Sequence, residues 1–323
     1  MPGPRVLLVR FGALGDVILT TPLLRAIHRR YPDAAVTVVT KAAYAPVLAA
    51  SPAVQGVEPL ADGDDLRALA RRLRAMHWDH RLDLHGSLRS RLLRLLVGGR
   101  WRTWRKPRLQ RAALIWAGVD TFRPPVPTAE RYFAAARALG VEPDGGPAEV
   151  HVTAADAARA RAVAAPGAYV AVAPGARHAT KRWPPAHWRA LAARLRADGL
   201  AVVGVGTEAE RALLPDPEVV NGFGLGLGPT AALLHGARAV VAHDSGLMHL
   251  ATAVGAPVVA LFGPTVPAFG YAPYRARGLV VETALPCRPC SAFGRAHCPM
   301  RHHRCMIEIT PARVARAVTG MVA

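Results

Sequence analysis

The sequence predicts an α/β protein made of two doubly wound parallel domains, and three observations predict it. Short apolar or β-branched runs recur without in-and-out alternation, as in strands buried on both faces. Segments rich in Ala, Leu and Arg with helical spacing separate them. Each half also opens the same way, with a strand that leads into a glycine-containing turn. At 323 residues and 51% hydrophobic content the chain exceeds the usual single-domain size, so each half can bury its own core.

In order, Val6–Val9 is the first strand and runs into Gly12-Ala-Leu-Gly-Asp16. Val36–Thr40 is a β-branched strand, Asp65–Met76 a helix, and Arg81–Leu84 the next strand. Turn residues gather in Val141-Glu-Pro-Asp-Gly-Gly-Pro147, which places the join near Gly140–Gly167. An N-terminal domain is then expected over 1–160 and a C-terminal domain over 161–323. Tyr169–Ala173 opens the second half and leads into Pro174-Gly-Ala-Arg-His-Ala-Thr-Lys-Arg-Trp183. Helix Ala186–Ala197, strand Leu200–Val205, strand Ala239–Ala242, helix Ser245–Val254 and strand Val258–Phe262 follow. Sheets of this kind bind ligands at the carboxyl ends of their strands, here in a cleft between the two domains.

Charge sets a second bound. Lys plus Arg number 41 against 22 Asp plus Glu, a net charge of +19 that attracts polyanions such as nucleic acid, anionic lipid or phosphorylated glycan. Only three of the cations are lysines, Lys41, Lys106 and Lys181, which fits a GC-rich codon bias but leaves the excess over acids unexplained. The excess is densest between Arg89 and Arg111, where Trp101 and Trp104 are interleaved. That stretch reads equally as a solvated basic face or as a surface for an anionic acceptor or lipid interface. No apolar run is long enough to cross a membrane, and the N-terminus goes straight into a strand, so a cytoplasmic protein is expected.

The candidate chemistry lies in the turns. Asp244, Ser245 and Gly246 sit at a helix entrance, where unpaired amides and the positive end of the helix dipole suit a sugar diphosphate. An ordinary N-cap is the competing reading. Gly12 and Gly15 permit a tight turn and close ligand approach. The Asp16 that follows is either a cap or a carboxylate base for an acceptor hydroxyl. The G-x-G-x-x-G of dinucleotide binders is absent here, and Thr40-Lys41 supplies no acidic ribose anchor, which disfavours a nicotinamide enzyme. Cys287, Cys290, Cys298 and Cys305 fall in one short segment with histidines between them. They leave three readings open: a structural zinc site, free thiols, or disulfides.

Gly12-Ala-Leu-Gly-Asp16, Pro174-Gly-Ala-Arg-His-Ala-Thr-Lys-Arg-Trp-Pro184, and Asp244-Ser-Gly-Leu-Met-His249 with Phe262-Gly-Pro-Thr265 occur in this order over nearly the whole chain. Together they resemble glycosyltransferase family 9, the ADP-heptose:lipopolysaccharide heptosyltransferases, in the form of the heptosyltransferase II branch. The resemblance implies a GT-B fold, two Rossmann-like domains facing a central cleft, with Thr310–Val318 as the helix that crosses back to the N-domain. It implies an inverting transfer that needs no metal, with Asp16 as the base and Lys181 neutralising the departing diphosphate. Thr180, Glu208, Asp244, Ser245, Gly246 and His249 then contact the nucleotide sugar, although Glu208 reads equally as a solvated first-turn acid. Gly12, Gly15 and His85 lie on the acceptor side, and His85 reads equally as an ordinary hydrogen-bonded residue. The implied partners are ADP-heptose or another nucleotide sugar, a phosphorylated glycolipid and the inner face of the cytoplasmic membrane. Two other classes compete: a nucleic-acid-binding protein with a four-cysteine zinc module, and a non-catalytic nucleotide-binding protein. The first lacks a recognisable RNA- or DNA-binding signature, and the second has no use for Asp16 and Lys181 together.

Overall fold

The computed structural model describes residues 3–322. The chain divides into two compact units, one formed by the residues up to Pro107 with Thr128–His151, the other by Arg108–Pro127 with the residues from Val152 onward.

The first unit holds a five-stranded sheet of β1 (Arg5–Val9), β2 (Ala35–Lys41), β3 (Gly56–Leu60), β4 (His80–Asp83) and β5 (Trp101–Thr103). Its order is β3-β2-β1-β4-β5 and every pairing is parallel. β1 lies at the centre with Val6, Leu7, Leu8 and Val9 fully buried, because helices cover both of its faces. Leu69 and Leu73 of helix Leu66–Arg74 and Leu93 and Val97 of helix Leu88–Val97 share one core cluster with Leu7, Val9 and Val39.

The second unit holds six parallel strands: β6 (Tyr169–Ala173), β7 (Ala201–Gly206), β8 (Val220–Phe223), β9 (Ala239–His243), β10 (Val258–Phe262) and β11 (Gly278–Glu282). Their order is β11-β10-β9-β6-β7-β8. The fold class is therefore the expected one, α/β with two doubly wound parallel sheets.

Three details depart from the expected layout. Helix Ala154–Arg161 packs on helix Leu227–Gly236 and so joins the second unit, which moves the boundary from 160/161 to 151/152. Arg25 holds the stretch before that boundary to the first unit, through Asp144 at 2.7 Å, Glu149 at 2.7 Å and the Pro147 carbonyl at 2.8 Å. The terminal helix Pro311–Val322, expected to return to the N-domain, packs within the second unit on helix Pro185–Ala197, and its Val314, Ala315 and Val318 complete the core around Leu191, Leu195 and Val241.

The third departure is helix Arg108–Ala117, which follows β5 in sequence yet belongs with the second unit. Its Arg111 is buried, with the guanidinium 5.6 Å from the ring centre of Phe269, 5.3 Å from Tyr271 and 5.4 Å from Phe293. Stacking on three rings offsets part of the cost of taking this cation out of water.

Candidate active site

In the first sheet the chain changes direction between β1 and β4, so the loops after these strands flank the switch point where such sheets bind ligands. Gly12 in the first loop has φ +154, and a Cβ there would lie 2.7 Å from the Tyr44 ring. Only glycine fits. The short helix Leu14–Ile18 follows, with Gly15 buried within it and Asp16 as its third residue. Asp16 Oδ2 accepts the Ala13 amide at 3.2 Å and pairs with Arg10 Nη2 at 2.5 Å, while the Tyr132 hydroxyl donates to Oδ1 at 3.3 Å. Asp16 thus does serve its helix start, but that use leaves the carboxylate 17% exposed. Arg10 is buried, donates to the Leu84 carbonyl and lies against the rings of Trp104 (5.7 Å) and Tyr132 (5.5 Å), which meet edge to face at 5.0 Å. The carboxylate is therefore anchored by a cation that is itself locked in place.

His85, in the second loop, meets Phe11 edge to face at 5.2 Å. Burial first, then the charges of Arg10 and Lys106, push its pKa down to about 4, so it is neutral at physiological pH. The adjacent carboxylate, Asp83, is fully buried and committed to the local turn. It accepts the amides of His85 and Gly86 at 2.9 Å each and the Ser90 hydroxyl at 3.0 Å.

The second sheet repeats the arrangement between β6 and β9. Lys181, in a 3-10 turn beyond β6, donates to the Asp244 carbonyl at 2.9 Å and to Asp244 Oδ2 at 2.6 Å, and the Thr265 hydroxyl donates to the same oxygen at 2.6 Å. Burial alone would raise the pKa of Asp244, but Lys181 and Thr265 outweigh it and hold the carboxyl below its usual range. Ser245 occupies the N-cap position of helix Gly246–Ala253, yet its hydroxyl is buried without a partner and no side chain caps the helix start. The amides from Gly246 onward therefore face a ligand site without a competing side chain. His249, one turn further, is buried with its ring 6.2 Å from Tyr271.

Residues without an assigned role in the sequence reading build the support. His243, at the end of β9, accepts the Trp183 amide at Nε2 (2.8 Å), so the proton sits on Nδ1 and is directed at the Gly175 carbonyl (3.2 Å). One buried ring thereby ties the Gly175 turn and the Lys181 loop to the Asp244 loop. A Cβ on Gly175 would fall 1.9 Å from Glu210 Oε1, so a side chain there would displace the Glu210 carboxylate. Arg288, inside the cysteine segment, donates to the carbonyls of Gly263 and Thr265 (2.9 Å for Thr265) and to Glu282 (2.7 Å). It thereby fixes the loop that presents Thr265 to Asp244. Thr265 and His243 lie inside or beside the recognised motifs, whereas Tyr132 and Arg288 sit in stretches with no motif to flag them.

Burial pushes the His243 pKa down to about 4, against a favourable bond to the Gly175 carbonyl. The unfolded chain binds a proton near pH 6.5 that the folded protein refuses until about pH 4, so stability is present above pH 6.5 and is lost as pH falls through this window. The contribution is on the order of 3 kcal/mol for this ring, and His85 adds to it with the same sign. Urea titrations between pH 7 and 4 check this: the midpoint should fall with pH, and His243→Gln should flatten the fall.

Thr180 and Glu208 also have partners within the chain. Thr180 spends its hydroxyl bridging the Arg295 carbonyl and amide (3.1 and 2.8 Å), so it staples the cysteine segment to the Lys181 turn. Glu208 is exposed and pairs with Arg211 at 3.5 Å. The four cysteines are free thiols, and the Cys287 sulfur is 3.9 Å from His302 Nε2. Among the described residues no three His, Cys, Asp or Glu side chains are placed as a metal's ligand set, so of the three readings a structural zinc site is not shown and free thiols match the structure. Burial, with the neighbouring thiols adding to it, raises the Cys305 pKa to about 11, a direction that suits an inert thiol. Trp104 is buried against Arg10 and Tyr132 rather than exposed for lipid or sugar.

The family model for glycosyltransferase family 9 (heptosyltransferase) matches residues 66–300. The lipopolysaccharide heptosyltransferase 1 of Pseudomonas aeruginosa is 31% identical, with 98% of each chain covered. The lipopolysaccharide heptosyltransferase 2 of Escherichia coli K12 is 26% identical at the same coverage, so identity does not single out the type 2 branch. The solved E. coli ADP-heptose heptosyltransferase II superposes with a TM-score of 0.75 over 98% of both chains at 24% identity, which speaks for the fold. With two doubly wound sheets, Asp16 at one switch point and the Lys181–Asp244 pair at the other, the chain belongs to glycosyltransferase family 9 and is a glycosyltransferase.

Proposed function

We propose that the protein transfers a heptose from ADP-heptose to a phosphorylated inner-core glycolipid, in one inverting displacement without a catalytic metal. The observation that carries this reading is the anchored, partly exposed carboxylate of Asp16 beside a second carboxylate, Asp83, that is buried and fully committed. A double displacement needs an enzyme group that attacks the anomeric carbon, whereas a single displacement needs only a base at the acceptor hydroxyl, the role that an anchored carboxylate suits. In that step the acceptor oxygen bonds to the anomeric carbon, the bond from that carbon to the diphosphate breaks, and the acceptor proton passes to Asp16. Charge grows on the departing ADP, and Lys181 and the uncapped amides at Gly246 are the groups suited to receive it. Asp244 and Thr265 orient Lys181, His249 flanks the sugar-nucleotide loop, and Gly12, Gly15 and neutral His85 line the acceptor side.

A thermal-shift panel of ADP, UDP and GDP with their sugars should single out ADP-heptose. Transfer to a heptose-free inner-core glycolipid should continue in EDTA, with the anomeric configuration inverted. Stabilisation by a UDP-sugar alone, retention of configuration, or loss of turnover in EDTA that a divalent cation restores would each overturn the corresponding part.

A further inference from the structure

We propose that the outer faces of helices Leu66–Arg74 and Leu88–Val97 form a docking surface for an anionic lipid bilayer. The two helices lie side by side on one face of the first sheet and bury Leu69, Leu73, Leu93 and Val97 in a common cluster. Their opposite faces are exposed and complementary. The first carries Arg67, Arg71 and Arg74 at i, i+4 and i+7, all exposed. The second repeats the same spacing with leucines: Leu88 is 82% exposed, Leu92 49% and Leu95 80%, with exposed Arg91 among them.

Both helices are held firmly for such a role. Asp65 accepts the Arg67 amide at 2.8 Å, and Ser87 and Ser90 exchange side-chain and backbone bonds at 3.2 and 2.9 Å. The first helix has four arginines, the second has three, and neither has an acidic residue.

Charge decides the occupant. A second copy docked symmetrically would set these arginine rows against each other, in a chain already at +19. A nucleic acid would use the arginines but leave the leucine row in water. An anionic bilayer uses both, with leucines at the headgroup–acyl boundary and guanidinium groups on lipid phosphates. The second helix is about 15 Å long and cannot cross a hydrocarbon core of about 30 Å, so it would lie in the interface. This inference deepens the glycolipid reading and takes its biological sense from it, but lipid binding is measurable without any transfer.

The test is flotation of the full chain with vesicles of phosphatidylcholine alone and of phosphatidylcholine mixed with phosphatidylglycerol. Binding is expected only to the mixed vesicles and should weaken with salt. Leu88→Ser with Leu95→Ser should weaken it at least about tenfold, and Arg67→Gln with Arg71→Gln and Arg74→Gln by at least as much. Both sets sit on exposed positions, so circular dichroism and turnover on a delipidated acceptor should stay at wild-type levels. No binding to mixed vesicles, or equal binding by the leucine variant, would overturn the docking surface. So would a leucine-dependent dimer without vesicle binding, or RNA binding that needs the arginines alone. Normal flotation with no heptose transfer would instead count against the glycosyl-transfer reading and leave the docking surface standing.

Discussion

Asp16→Asn is expected to lower turnover by roughly two to four orders of magnitude while ADP binding stays at the wild-type level. Asparagine keeps an oxygen for the Arg10 guanidinium and is nearly isosteric, so the clamp of Arg10, Trp104 and Tyr132 should persist. What it cannot do is take a proton. Single-turnover rates with saturating donor and acceptor, alongside calorimetric titration with ADP, check both halves. Unchanged turnover would remove Asp16 as the base. Tyr132→Phe offers a graded comparison: it removes the hydroxyl that donates to Oδ1 at 3.3 Å, keeps the ring and leaves the carboxylate, and should cost far less.

Lys181→Ala should abolish most activity and also destabilise the second unit, by roughly 3–5 kcal/mol, the usual cost of breaking a buried ion pair. Both partners are largely buried, 13% and 9% exposed, so removing the ammonium leaves the buried Asp244 carboxylate without its ion-pair partner. The double variant Lys181→Ala with Asp244→Asn should recover most of the stability and none of the activity or ADP affinity. Thermal melts and ADP titrations of the two single variants and the double variant separate the outcomes. Wild-type turnover in the double variant would remove the leaving-group role. Because the folded Asp244 pKa is depressed, the pair stabilises above the ordinary carboxylate range, and this contribution is lost as pH falls through the folded value.

The seven strands legible in the sequence are the interior ones of both sheets. The four it misses, β3, β5, β8 and β11, are the four sheet edges. Interior strands such as Tyr169–Ala173 are buried throughout and read as unbroken apolar runs. Edge strands are half-wet, and β8 with its Asn-Gly or β3 with its Glu-Pro carries residues that signal loops. At the site, Asp16, Lys181 and Asp244 were legible because they stand in motifs at strand ends. Their mutual geometry was not: nothing in Asp244-Ser-Gly indicates that the aspartate turns to Lys181 and leaves the helix uncapped. Arg288 and Tyr132 act across long sequence separations, through contacts that only the folded chain defines. The cysteine spacing left three readings open, because it reports which thiols are near in sequence and not the ligand geometry a tetrahedral site needs; in the structure they are free thiols.

The assignment of helix Arg108–Ala117 to the second unit also bears on how the protein is made. A ribosome releases the first sheet's strands early, but Arg111 cannot leave water until Phe269, Tyr271 and Phe293 have been synthesised and folded around it. Neither half can therefore be excised as a contiguous gene fragment: a piece beginning at Val152 lacks the arginine its rings enclose, and a piece ending at His151 carries an orphaned helix.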